Sequence, residues 1–134
     1  MPSLPVSLPV SLPDLPRPSP DTLARGLGWF SIALGLGEIL APGTIKRRTG
    51  APGPRALLQG YGVREVATGA AILLSSRPAR MVWARVAGDA LDIATLAPAL
   101  RPANPHRAGA AAAMGFVLLA TATDLAVALR DGRG

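Results

Sequence analysis

Four long apolar runs, each of about 20 residues, constrain this chain more than any other feature of its sequence. They cover 22–41, 56–75, 81–100 and 108–129. At about 1.5 Å of rise per residue, a helix of this length matches the thickness of a bilayer's hydrocarbon core. The segments between the runs are short and rich in proline, glycine and arginine, so consecutive helices should be antiparallel. The sequence therefore predicts an all-α fold, a four-transmembrane-helix bundle of up-down-up-down topology.

The chain begins with a proline-rich tail, in which the unit SLPV occurs twice within MPSLPVSLPVSLPDLPRPSP. Proline at this density removes backbone donors and blocks both helix and sheet. We therefore predict that residues 1–21 are disordered, with a proline-motif ligand as the alternative. The tail lacks the basic start and the continuous apolar stretch of a signal peptide. Residues 22–130 are the predicted transmembrane domain, and 131–134 are a short C-terminal tail.

The composition agrees with helix packing in lipid. Only 16% of the residues are charged and 4% are aromatic, so the apolar mass comes from alanine, leucine, valine and glycine. The net charge of +6 lies mostly in short loops, where arginine suits phospholipid headgroups, and we expect no nucleic-acid partner. A soluble alanine-rich bundle is the alternative, but its helices should each show a polar face. The absence of cysteine excludes disulfides and thiol chemistry.

Small residues recur at a spacing of four, which allows close helix contact. The pairs are Ser31 with Gly35, Ala33 with Gly37, and Ala67 with Ala71.

Ionisable residues inside the apolar runs are the candidate functional site. There are seven of them: Glu38, Arg64, Glu65, Arg85, Asp89, Asp92 and Asp124. A charge in lipid costs at least about 2.5–3.5 kcal/mol on insertion scales, so these side chains should face the bundle interior and pair. Two arginines face five carboxylates. Either some of the carboxylates are protonated, or a cation or a water-filled cavity compensates for the surplus.

Depth along the helices predicts which of these groups can meet. Measured from the side of the first loop, Arg64 and Asp92 both lie roughly 12 Å deep, and Asp89 roughly 16 Å. Arg85 and Asp124 both lie roughly 22–24 Å deep. We therefore predict that Arg64 pairs with Asp92 or Asp89, and that Arg85 pairs with Asp124 or with Asp89 of its own helix.

Glu38 lies only about 5 Å from the same side, so an interfacial arginine, Arg55 or Arg107, is its predicted partner.

Motifs for enzymatic chemistry or cofactors do not appear. The segment Gly35-Leu-Gly37 lacks the third glycine of a dinucleotide-binding loop, and the only histidine, His106, lies in a loop without further ligands. No serine, histidine and aspartate combine into a nucleophilic arrangement. We therefore predict no catalytic residues, no metal site and no cofactor.

The chain resembles a known family over roughly residues 23–100. The motifs that carry the resemblance are Gly28, Trp29, Phe30 and Ser31 with Gly37 and Glu38, then Arg64 and Glu65, then Trp83, Ala84 and Arg85 with Gly88, Asp89 and Asp92. They are similar to a small four-helix bacterial membrane region that is often fused to a polyketide cyclase/dehydrase-like, lipid-binding domain. The resemblance implies a membrane location and no established activity.

Together these features favour a non-enzymatic accessory or scaffold protein of the bacterial inner membrane, whose charged network fixes helix packing. Membrane lipids, a membrane-protein partner or a second copy of the chain are its expected partners. The alternative is a small proton- or cation-coupled transporter. The carboxylates distinguish the two hypotheses. A scaffold should pair every one of them, whereas a transporter needs Glu38 or Asp89 to face a polar cavity with apolar groups opposite.

Overall fold

The computed structural model describes residues 17–132, which form five α-helices and one 3-10 helix, with no strand among them. The α-helices are α1 (Pro20–Leu40), α2 (Pro42–Thr49), α3 (Arg55–Leu74), α4 (Pro78–Leu96) and α5 (Arg107–Gly132), and the 3-10 helix is Ala97–Leu100. The all-α prediction is confirmed. Most of the predicted disordered tail, 1–16, and the last two residues, 133–134, lie outside the described residues.

Helix α2 corrects the prediction, because this segment was expected to be part of a loop. Pro42 occupies the first turn, where a missing N–H costs nothing. Gly50 ends the helix in the left-handed conformation, at φ 64°, and donates its N–H to the carbonyl of Lys46. Basic side chains in the last turn also stabilise the helix, because they interact favourably with the negative end of its dipole.

Helix α4 ends earlier than the apolar run 81–100 suggested. It stops at Leu96, and the chain continues as the 3-10 helix through Leu100. Pro98 lacks a backbone N–H and therefore cannot continue an α-helical ladder.

Helices α1 and α3 pack antiparallel and very closely. Gly28 lies against Gly69, and Gly35 lies against Gly62. A Cβ atom on Gly35 would collide with the carbonyl oxygen of Gly62, and one on Gly69 would collide with that of Gly28. Of the small-residue pairs read from the sequence, Ser31 with Gly35 lies in this contact, whereas both members of the Ala33 pair face outward. Glycine is therefore required here for the backbones to approach.

The two ends of the bundle differ. At the end that carries α2, Asn104 joins three segments: its Nδ2 donates to the carbonyls of Thr49 (2.9 Å) and Ala99 (2.7 Å), and its Oδ1 accepts from the N–H of His106 (2.9 Å). We call this the α2 end. At the opposite end the interior is filled by an apolar cluster of Ala24, Ile72, Ala79, Val82, Val127 and Ala128.

The exposed faces of the four long helices are apolar over most of their length. This holds for 26–40 of α1, 60–74 of α3, 83–96 of α4 and 108–129 of α5. The single exposed polar side chain in these ranges is Thr123, whose hydroxyl donates to the Leu119 carbonyl. Large exposed groups include Trp29 (65% exposed), Val63 (60%) and Leu119 (69%).

Two helices, α1 and α5, are long and apolar enough to cross a membrane by length and composition. Helices α3 and α4 do not meet this criterion, so it supports two of the four predicted membrane spans and not the whole four-span bundle. Charged residues explain the difference: α3 carries Arg64 and Glu65, and α4 carries Arg85, Asp89 and Asp92.

A buried charge network as the candidate functional site

Glu65 is the centre of a charge network inside the bundle, and its side chain is 3% exposed. Its Oε2 accepts a hydrogen bond from the Ser31 hydroxyl (2.7 Å) and another from Nη1 of Arg85 (3.2 Å). Its Oε1 lies 3.3 Å from Nη2 of Arg64. Ser31 can approach this closely because it lies between the glycines of the α1–α3 contact. One carboxylate thus links α1, α3 and α4.

Arg85 extends the network to α5. Its Nε donates to Oδ1 of Asp124 at 2.9 Å, and its guanidinium also lies over the Phe30 ring, 5.5 Å from the centroid. Arg85 is 1% exposed and Asp124 is fully buried. The match in depth predicted the pair with Asp124. It did not predict the pair with Glu65, because depth says nothing about which helix faces are neighbours, and the long arginine side chain spans the difference in height.

Arg64 pairs with Asp92, as the match in depth predicted, at 2.8 Å between Nη2 and Oδ1. Its guanidinium lies over Gly88, where any Cβ would collide with Nη1, and 5.2 Å from the Tyr61 ring centroid. The Arg64 side chain is 26% exposed, so this pair is less enclosed than that of Arg85. Two of its nitrogens, Nε and Nη1, are buried without a hydrogen-bond acceptor in the described part of the chain.

Asp89 has no cation partner among residues 17–132, although it is 4% exposed. Of the two partners predicted for Arg85, the structure shows Asp124 and not Asp89, because the guanidinium turns toward Asp124 and Glu65. Oδ2 of Asp89 and Oδ2 of Asp124 are both buried, and neither has a donor in the part of the chain that the structure describes. Asp89 lies within hydrogen-bonding reach of Asp124, so a single proton held between the two carboxylates would satisfy both oxygens.

Glu38 also lacks a cation partner among the described residues, and its predicted pairing with Arg55 or Arg107 is wrong. The Glu38 side chain points into the bundle, with its Cβ close to Gly62 of α3. Nε of Arg107 donates to the carbonyl of Leu100 at 2.8 Å, and the Arg55 guanidinium lies beside Gly43. Both arginines remain at the surface, while Glu38 is 9% exposed.

A cavity of about 250 Å³ opens beside Glu38 near the α2 end. Asp92 lines the same cavity, together with Tyr61 and Thr95, whose hydroxyls are hydrogen-bonded to each other. The sequence interpretation missed this polar pair and the role of Ser31. The signal for Ser31 was present, because Gly28 and Gly35 on α1 have the same spacing as Gly62 and Gly69 on α3.

Three of the carboxylates cluster between the cavity and the deepest part of the network. One oxygen each of Glu65, Asp89 and Asp92 lies within 4.8 Å of the others. Arg64 and Arg85 already contact Glu65 and Asp92, so Asp89 is the only one of these three carboxylates without a cation among the described residues, and one free carboxylate is too few for a divalent metal.

No protein-family model matches the chain, and comparisons with curated proteins and with solved structures give no match. The resemblance to the membrane region fused to cyclase/dehydrase-like domains stays a prediction.

Proposed function

We propose that this chain is an integral protein of the bacterial inner membrane and that all four long helices cross the bilayer. The support comes from the inverted arrangement of side chains. Glu65, Arg85, Asp89 and Asp124 are buried, whereas leucine, tryptophan, valine and phenylalanine side chains are exposed. A soluble bundle would bury its large apolar groups and expose its charges.

The proposal includes α3 and α4, despite their charges. Most of these charges point inward and contact one another, so lipid would meet mainly the apolar faces of the two helices. Pairing offsets much of the cost of placing an ionised side chain at membrane depth. Extraction with alkaline carbonate tests the location. The protein should remain in the membrane pellet, and its release into the supernatant would refute the proposal.

Within the membrane, we propose that the protein is a small proton- or cation-coupled transporter. The observation that carries this is that two carboxylates have no cation partner within residues 17–132, namely Glu38 beside the cavity and Asp89 beside Asp124. Two arginines against five carboxylates give the interior a charge of −3 if all are ionised. Such a surplus is too costly in a low-dielectric interior, so protons or cations must bind there.

The arrangement also offers a route for a proton. Glu38 and Asp92 share the cavity, Asp92 is close to Glu65 and Asp89, and Asp89 reaches Asp124. A proton could pass between neighbouring oxygens along this series, because the oxygens of Glu65, Asp89 and Asp92 lie within 4.8 Å of one another, a separation that one water molecule bridges.

Flux into proteoliposomes tests the proposed activity. With a pH-sensitive dye inside, vesicles that contain the protein should acidify faster than empty vesicles when a membrane potential draws protons inward. Asp89→Asn should remove the difference, since the amide cannot carry a proton. Asp131→Asn is the matched control, because Asp131 is exposed at the end of α5. Equal rates for the protein and for empty vesicles would contradict the proposal.

An accessory or scaffold protein is the second candidate, and the contacts of Glu65 favour it. This side chain joins α1, α3 and α4, so it fixes the rotation of three helices about their axes. If the network is purely structural, Asp89→Asn should leave the proton flux unchanged at the level of empty vesicles and make the fold more stable, since it supplies a donor to Asp124.

A further inference from the structure

The cavity at the α2 end combines apolar walls with one uncompensated carboxylate. Leu34, Leu58, Phe116 and Val117 supply much of the wall, and Glu38 reaches it from α1. Of the two acidic groups that line it, Asp92 is neutralised by Arg64 at 2.8 Å. Glu38 has no cation within ion-pair distance among residues 17–132. The cavity therefore holds one carboxyl group whose charge, when it is ionised, the walls of the cavity do not balance.

The chemistry of the walls restricts what can balance that charge. A divalent metal needs six or more oxygen ligands or several free carboxylates, and the cavity offers only one free carboxylate. A small inorganic cation would have to keep its water against walls that are mostly leucine, valine and aromatic carbon. A cation with apolar substituents meets both demands, because its charge pairs with Glu38 while its carbon atoms contact the wall.

Aromatic rings and size narrow the class further. Phe116 and Tyr61 line the cavity, and ring faces attract quaternary ammonium groups. The volume of about 250 Å³ lies just under the usual range of ligand pockets, about 300–1,000 Å³, and so favours a compact molecule. We propose that this cavity binds a small hydrophobic monovalent cation, such as an aryl or alkyl quaternary ammonium ion. The inference rests on the proposed transport function and names its substrate class.

Benzyltrimethylammonium is a suitable probe, and isothermal titration of the full-length protein in detergent measures its binding, with protein-free micelles as the blank. Benzyl alcohol and benzoate test whether the positive charge is needed. The expected result is saturable binding of the cation alone. Glu38→Gln keeps the shape of the side chain and removes its charge, and it should weaken binding at least tenfold, whereas Asp131→Asn should leave it unchanged.

A second variant keeps the test decisive if Glu38→Gln fails to fold. Ala113→Phe leaves Glu38 in place but fills part of the cavity, since Ala113 lines it, and should also weaken binding at least tenfold. Binding of the cation that is equal in the wild type and in both variants would overturn the inference. So would benzyl alcohol or benzoate binding as tightly as the cation.

The outcomes separate this inference from the transport proposal on which it rests. Proton flux that depends on Asp89, without binding of the cation, would refute the substrate class and leave proton coupling standing. Binding of the cation that depends on Glu38, without any flux, would refute transport and retain the site.

Discussion

The two ends of the bundle interior differ in the polarity of the side chains that line them. At the α2 end, Glu38, Tyr61, Asp92 and Thr95 surround a cavity, and Asn104 secures the neighbouring loops. At the opposite end, the apolar cluster around Ile72 and Val82 packs between the helices. The charge network lies between them. The comparison teaches that polar side chains line the interior at the α2 end and apolar ones at the other, so we expect access to the network from the α2 end.

The largest effect is expected from Arg85, which lies deep in the network between Glu65 and Asp124. Arg85→Ala leaves Asp124 buried without its cation and leaves Glu65 with Arg64 alone. Removing one member of a buried pair costs about 3–5 kcal/mol. Unfolding in detergent, followed by circular dichroism, measures the loss.

Arg64→Ala is the matched variant nearer the cavity. The Arg64 side chain is partly exposed, so water can replace its hydrogen bonds and the cost should be smaller, about 1–3 kcal/mol. Equal losses for the two variants would remove the distinction between an enclosed and an accessible part of the network.

The apolar cluster offers the next comparison. Ile72→Ala should destabilise the bundle by about 2–4 kcal/mol, because Ile72 is fully buried and its loss creates a cavity. Leu58→Ala at the α2 end should cost about half as much or less, since this leucine already borders an open cavity. Thermal unfolding of the two variants, measured side by side, shows which end of the bundle loses more stability. A larger loss for Leu58→Ala would mean that the α2 end is the tightly packed one.

The pair at the boundary of the cavity gives a smaller effect. The charge exchange Arg64→Asp with Asp92→Arg should recover much of the stability that either single change loses. A double-mutant cycle isolates this coupling, which should amount to about 0.5–3 kcal/mol for residues in contact. If the losses of the two single variants simply add, the 2.8 Å contact contributes nothing to stability.

Much of the fold could be predicted because each long helix corresponds to an apolar run in the sequence. The eight residues of α2 could not, since a proline, a glycine and three basic residues are typical of a loop, and capping by Pro42 and Gly50 became clear only from the backbone. Composition also left the status of α3 and α4 open, because it does not reveal that their charges face inward.

For the candidate site, the sequence predicted the depth of each charged residue along its helix but not the direction in which its side chain points. The rise per residue is fixed, so depth identified the pairs of Arg64 with Asp92 and of Arg85 with Asp124. The rotation of each helix about its axis is set by packing, here by the glycine contact between α1 and α3. Depth along the helices does not predict this rotation. For that reason the sequence assigned Glu38 to a surface arginine, although its side chain points inward.

Access to the interior from one end is the central claim, and single cysteines test it most directly because the chain has none of its own. Thr95→Cys and Val82→Cys lie on the same helix, the first at the cavity and the second in the apolar cluster. In proteoliposomes, a small charged methanethiosulfonate should modify Cys at position 95 quickly, and benzyltrimethylammonium should slow the reaction. The cysteine at position 82 should react at least tenfold more slowly. Equal rates at the two positions would contradict the account.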